Sequence, residues 1–174
     1  MEHQKPIRPL VLAFWTPPIV RPQAMLIGKM LPEWLRQGIA PVLVFYEESG
    51  AWDIDIPKHA IARFEPKGIW KFPYLNFIAQ VVYWKRTANE IQSLIAQYDI
   101  NVIFSFANPM ESNIIGAMLA RKTGIPYVAH FSDPWQSQMR THSLAGSLKV
   151  NFLEQFVVNA ANHVTTPDEA MEEY

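Results

Sequence analysis

No cysteine occurs among the 174 residues, so disulfides and thiolate metal sites are excluded, and the compartment leans cytoplasmic. No apolar run approaches the roughly 20 residues needed to span a bilayer. The opening residues, Met1-Glu2-His3-Gln4-Lys5-Pro6, have no apolar segment of signal-peptide type. Excess charge of either sign is also missing. A net charge of -1 and a pI near 6.5 give no reason to expect a nucleic-acid partner. No P-loop, His-Glu-x-x-His, Gly-x-Ser-x-Gly or metal-ligand cluster is present, so no metal and no cofactor are expected. The first strand-to-helix connection, Thr16-Pro17-Pro18-Ile19-Val20-Arg21, holds two prolines and no glycine. A backbone nest for a dinucleotide pyrophosphate is therefore not expected there.

What is present is a regular alternation. Hydrophobic residues make up 49% of the chain and charged residues 18%, the composition of one ordinary globular domain with a single core. Leu10 to Trp15 is a continuous apolar run, as in a central parallel strand covered on both faces. Met25, Ile27, Met30, Leu31, Trp34 and Leu35 recur at helical spacing after Pro22, with Pro32 interrupting the helix or starting a second one and Gly38 ending it. Pro41 to Tyr46 completes a βαβ unit, and a short strand is predicted over 60–65. Residues 68–98 read as helical, most cleanly over 87–98 with Ile91, Leu94 and Ile95 inward. A strand over 101–106, a helix over 111–122, a strand over 127–131 and a helix over 143–162 follow. Leu148, Phe152, Phe156 and Val157 are predicted inward on the last of these. A final strand spans 163–167, and Asp168 caps a helix that has barely begun. The pattern predicts an α/β fold, a doubly wound, Rossmann-like parallel sheet.

Open α/β sheets place ligands at the carboxyl ends of their strands. The stretch Gly124-Ile125-Pro126-Tyr127-Val128-Ala129-His130-Phe131-Ser132-Asp133-Pro134-Trp135 reads as a helix stop, a buried strand and then a polar cluster at that edge. Asp133 could accept a hydroxyl proton or orient a sugar hydroxyl; as a turn former it would only cap Pro134. His130 is a candidate beside it, or a satisfied core histidine. Ser132 adjoins both. Ser105, Asn108 and Glu111 follow the neighbouring strand along the same edge, or serve as turn and cap. Arg21 could meet an anion at a helix N-terminus, or stand as a surface arginine.

Charge is uneven. Lys58, Arg63, Lys67, Lys71, Lys85 and Arg86 face a single acid, Glu65, between positions 58 and 86. Aromatics crowd the same segment, so Trp70–Arg86 could lie on an anionic membrane, or its rings could be core with lysines at the rim. From Glu154 to Tyr174 there are acids and no Lys or Arg.

Three stretches resemble one family. Ile27-Gly28-Lys29-Met30-Leu31-Pro32, Gly38 and Pro41-Val42-Leu43-Val44, following Arg21, are similar to the first βαβ of GT-B glycosyltransferases of the family-four (group 1) type. Gly124 to Trp135 looks like that family's "Gly-Ile-Pro-Trp-Val … Arg-Asp-Pro-Trp", with serine at 132 where arginine is frequent. Leu153-Glu154 and Ala160-Ala161-Asn162-His163-Val164-Thr165-Thr166 resemble its "Leu-Glu … Ala-Asp-x-Val-x-Thr". The resemblance implies that residues 1–174 are the single N-terminal, acceptor-side domain of a two-domain enzyme, with the nucleotide-sugar-binding C-terminal domain absent. It implies metal-independent sugar transfer from a nucleotide sugar to a polysaccharide or lipid-linked acceptor, with the isolated domain inactive. Asp133 with His130 would serve the chemistry. Ser132, Arg21, Pro18, Ser105, Asn108 and Glu111 would bind substrate. The enzyme would be cytoplasmic, at the inner face of the membrane. The rival expectation is a stand-alone Rossmann-like binding or regulatory domain without catalysis.

Overall fold

The computed structural model describes residues 6–50, 52–133, 135 and 144–167. Pro134, Ser143 and the Asp168 cap lie outside the described residues. Six strands, β1 (Pro9–Leu12), β2 (Val42–Tyr46), β3 (Lys58–Ile61), β4 (Val102–Phe106), β5 (Tyr127–His130) and β6 (His163–Thr165), form one sheet in the order β3-β2-β1-β4-β5-β6. Every neighbouring pair is parallel. The chain moves outward one way through β1, β2 and β3, then the other way through β4, β5 and β6. The switch point therefore falls between β1 and β4. As expected of its apolar run, β1 is central and wholly buried.

Crossovers between parallel strands are right-handed, so reversing the direction of travel moves the helices to the opposite face. Helix α1 (Pro22–Arg36) packs Ile27 and Leu31 on one face against Val11, Ala13 and Leu43. The other face carries α2 (Pro73–Ile91), the short α3 (Ser93–Gln97), α4 (Glu111–Thr123) and α5 (Leu144–Val158), packed on Leu10, Leu12, Ile103 and Ala129. The alternation within β1, with Leu10 and Leu12 to one layer and Val11 to the other, is the period-two pleat of a strand buried on both sides.

Two helix expectations change. Helix α1 runs unbroken through Pro32. Proline removes one backbone donor, but Ile27 and Leu31 in the turn before it are fully buried, and their packing holds the helix in place. In α5 the buried residues are Val150, Leu153 and Val157, whereas Leu148 and Phe152 are each 68% exposed. Apolar residues occur on both faces of this helix, so period alone did not identify the inward one.

Gly124 behaves as predicted. It ends α4 at φ 72, and its N–H donates to the Ala120 carbonyl at 2.8 Å. Gly116 matters for another reason. A Cβ there would sit 2.9 Å from the buried ring of Tyr127. Gly116→Ala is expected to lower stability by about 1–3 kcal/mol through overpacking, despite alanine's better helix propensity, as read by denaturant unfolding.

Candidate functional site

At the carboxyl edge of the sheet, the switch point is closed rather than open. Gln23, in the first turn of α1, is buried there. Its Oε1 accepts the Trp15 N–H at 3.3 Å, and its Nε2 donates to the Phe106 and Ala107 carbonyls at 3.0 and 3.2 Å. One amide thus bridges the ends of β1 and β4. Ser49 Oγ donates to the Phe14 carbonyl at 3.0 Å on the other side of β1. The Trp15 N–H, a donor a glycine-rich loop would turn toward phosphate, is already spent. Gln23 was not singled out in the sequence because nothing distinguishes it there from a surface glutamine. Beside it Thr16 is fully buried, and its Oγ1 has no hydrogen-bond partner among the described residues.

Around the buried Trp15, charged groups from distant parts of the chain converge. The Arg21 guanidinium lies over the indole at 4.2 Å from its centroid, and that of Arg63 at 5.5 Å. Arg63 is also 3.7 Å from the Glu48 carboxylate. Trp15 meets Tyr46 edge-on at 5.3 Å, and Tyr83 donates its hydroxyl to the Ala62 carbonyl at 2.9 Å. Glu111, half-buried as the first residue of α4, completes the group. Burial pushes its carboxyl above the usual carboxylate range, with Arg63 and Lys149 pulling the other way. In return the Glu111 charge adds to the burial that raises both phenols, Tyr83 to about 12. Lys149 is held low by burial, opposed by Glu111. The aromatic and basic members were hidden in the sequence, since Trp15, Tyr46, Arg63, Tyr83 and Lys149 are separated by other elements. Only Arg21 and Glu111 were legible, each from its place at the start of a helix.

The remaining candidates divide. Pro18 is exposed on the same loop as Trp15, and Asn108 is half-buried just past β4 with φ 75, a left-handed conformation asparagine tolerates. Ser132 is half-buried and Asp133 exposed just past β5. Ser105 belongs to the interior. It is fully buried, with its Oγ 2.7 Å from both Asn113 Oδ1 and the Tyr127 hydroxyl, while Tyr127 donates to the Asn113 carbonyl at 2.9 Å. The pleat that makes β4 alternate turns Ser105 into the helical layer instead of along the edge.

His130 points to the opposite face from Glu111. Tyr127, Ala129 and Phe131 pack into the layer of α2, α4 and α5, so His130 faces the α1 side, 5.2 Å from the Phe106 ring. Its Nδ1 is 3.1 Å from Thr165 Oγ1. Burial lowers the imidazole pKa below its ordinary 6.5. Folding thus disfavours the imidazolium, and the unfolded chain binds more protons as the pH falls below 6.5. Stability is kept above that value and lost below it. His130→Asn is expected to reduce the loss in unfolding midpoint between neutral and mildly acidic pH, measured against the unsubstituted chain.

A depression of about 320 Å³ lies at the other edge of the sheet, lined by Arg8, Val42, Ile56 and Tyr98 among others. Arg8 there is already paired with Asp99 at 2.7 Å. The polar convergence, not this depression, is the candidate site.

No protein-family model matches the chain, and no curated protein matches it in sequence. Solved structures do match in fold. A Listeria monocytogenes protein described as a UDP-N-acetylglucosamine 2-epimerase superposes with a TM-score of 0.63 at 12% identity, covering 97% of this chain and 41% of that one. S. aureus MnaA, in a co-structure with UDP, gives 0.58 at 12% identity over 92% and 38%. The UDP-GlcNAc 2-epimerase from Methanocaldococcus jannaschii gives 0.57 at 11% over 95% and 40%. The chain spans about two fifths of the length of these proteins. At such identity what is shared is the fold: this chain has the Rossmann-like architecture of one half of a GT-B protein, as its resemblance to an N-terminal GT-B domain implied.

Proposed function

We propose that this chain is the N-terminal, acceptor-side domain of a nucleotide-sugar enzyme, and that the whole protein transfers a sugar to a polysaccharide or lipid-linked acceptor. The observation that carries the reading is the gathering of Arg21 and Arg63 over Trp15, with Glu111 within the field of Arg63, at the carboxyl edge of a Rossmann-like sheet, the edge where such folds hold ligands. In the transfer, the bond from the anomeric carbon to the donor phosphate breaks and a bond to an acceptor hydroxyl forms, releasing that hydroxyl's proton. In this reading Glu111 or Asp133 would receive it, and Arg21 with Pro18 would shape the acceptor side. Ser132 and Asn108 border the same edge. No step in this scheme calls on a metal ion, and the nucleotide sugar is a substrate rather than a resident cofactor. The donor-binding wall would come from a second domain, so residues 1–174 alone would be inactive. A lipid-linked acceptor would be met by a cytoplasmic enzyme at the inner face of the membrane.

A second reading has a specific observation behind it: two of the three superposed structures are described as UDP-GlcNAc 2-epimerases. One experiment separates the two. The full-length protein is incubated with nucleotide sugars in deuterated water, with and without candidate acceptors, and followed by NMR. Release of the nucleotide with acceptor glycosylation is expected. Deuterium entering the sugar C2 with the nucleotide still attached would instead indicate epimerisation, because inverting C2 breaks its C–H bond. Asp133→Ala run in parallel is expected to slow turnover, and unchanged turnover would remove Asp133 from the site.

A further inference from the structure

A surface helix needs one apolar stripe to join a core, and α2 has two. Its inner stripe, Phe77, Val81, Trp84, Ala88 and Ile91, packs on the sheet. Its outer stripe, Tyr74, Ile78 and Val82, recurs every four residues and is exposed, Tyr74 at 87%. Lys85 continues this line one turn on. The 3-10 turn before the helix (Gly68–Lys71) and the residue that follows it add exposed Ile69, Trp70 and Phe72, the last at 65%. Nothing described covers these side chains. The sequence alternative, that the rings of Trp70–Arg86 are core, therefore holds for Phe77 and Trp84 and fails for Trp70, Phe72 and Tyr74.

The same helical layer extends the surface. Leu148 and Phe152 face outward on α5, and Lys149 between them reaches α2, with its Nζ 4.3 Å from the Phe77 ring centroid. The charge around the exposed stripe is mostly positive, with Glu65 the one exposed acid between positions 58 and 86. Lys67, Lys71, Lys85 and Arg86 are all exposed there. Glu90, on the side of α2 nearest β3, is occupied with His59 at 3.1 Å. Among the described residues no helix is long and apolar enough to cross a membrane.

We propose that the outer face of the 3-10 turn and α2, extended by Leu148 and Phe152 of α5, seats the protein on an anionic lipid bilayer. Aromatic and aliphatic side chains enter the interface while the flanking lysines and arginine meet acidic headgroups. Tryptophan and tyrosine suit this depth because one end of each ring system is apolar and the other wet. The positive rim decides between occupants. A second copy would bring the same lysines against these, whereas an anionic surface complements them. The inference does not rest on the transferase reading, since it concerns a surface outside the candidate site.

The test is co-sedimentation of the chain with phosphatidylcholine vesicles, with and without phosphatidylglycerol. Binding to the mixed vesicles is expected, falling about tenfold or more on pure phosphatidylcholine, with added salt, or with Lys67→Glu and Lys71→Glu together. Phe72→Ser with Tyr74→Ser should weaken binding to a similar degree. These side chains are exposed, so circular dichroism should be unchanged. If that pair loses structure, Ile78→Ser with Val82→Ser takes its place. Protein left in the supernatant with anionic vesicles, or binding indifferent to every one of these substitutions, would overturn the proposal. So would a concentration-dependent dimer that the Phe72 and Tyr74 substitutions abolish, because the face would then belong to a second copy.

Discussion

Gln23→Leu is expected to destabilise the domain by about 2–5 kcal/mol, among the largest effects of any single substitution outside the apolar core. The side chain keeps its approximate volume but loses three hydrogen bonds to the Trp15 N–H and the Phe106 and Ala107 carbonyls. The Phe106 carbonyl keeps the Ser112 hydroxyl, but the Trp15 N–H and the Ala107 carbonyl would stay buried without the partner that Gln23 supplies, and an unmet buried group costs more than a bond in water returns. The damage should be local to the switch point, since β1 and β4 remain paired along their length. Denaturant unfolding would show a lower midpoint at an unchanged slope. A loss below about 1 kcal/mol would mean that water enters and replaces the amide at the switch point.

Glu111→Gln should move stability and activity in opposite directions. The carboxyl is raised by burial, so the folded protein holds its proton more tightly than the unfolded chain. The sign follows: this group favours folding below the ordinary value of 4.5 and loses that contribution as the pH rises through the raised value. Above that raised value the ionised carboxylate is a burden, and the neutral amide should raise the unfolding midpoint there and flatten its dependence on pH above 4.5. If Glu111 exchanges protons with substrate, the full-length protein should lose roughly 10²–10⁴-fold in turnover. A more stable variant with full turnover would place Glu111 outside the chemistry. A less stable one would show that its attraction to Arg63 and Lys149 outweighs its desolvation. Residues kept at a cost in stability are found at working sites, and that is the case this variant tests.

The sequence was legible where short-range rules apply. The run from Leu10 to Trp15 announced a central strand, and Gly38 and Gly124 stopped their helices. The first loop's lack of glycine gave no reason to expect a phosphate nest, and in the structure the Trp15 N–H there donates to Gln23. Where two faces were both apolar, the sequence was ambiguous. Helix α5 turned Val150 and Leu153 inward and left Leu148 and Phe152 outside, and α2 spent only one of its two stripes. Of the candidate residues, Arg21 lies over Trp15, Glu111 feels Arg63 on the same side, Ser105 is buried in the interior, and His130 faces the other layer.

Strand and helix types, their order and their stops are set by residues within a few positions of one another, through φ preferences, caps and hydrophobic period. The phase of each pleat and the roll of each helix are different in kind. They depend on register between β1 and β4 or β4 and β5, segments far apart in the chain, and a shift of one residue would exchange the two faces. Which side His130 takes, which stripe of α2 stays dry, and whether Trp15, Tyr46, Arg63, Glu111 and Lys149 ever meet were therefore decided only when the sheet assembled and its layers packed.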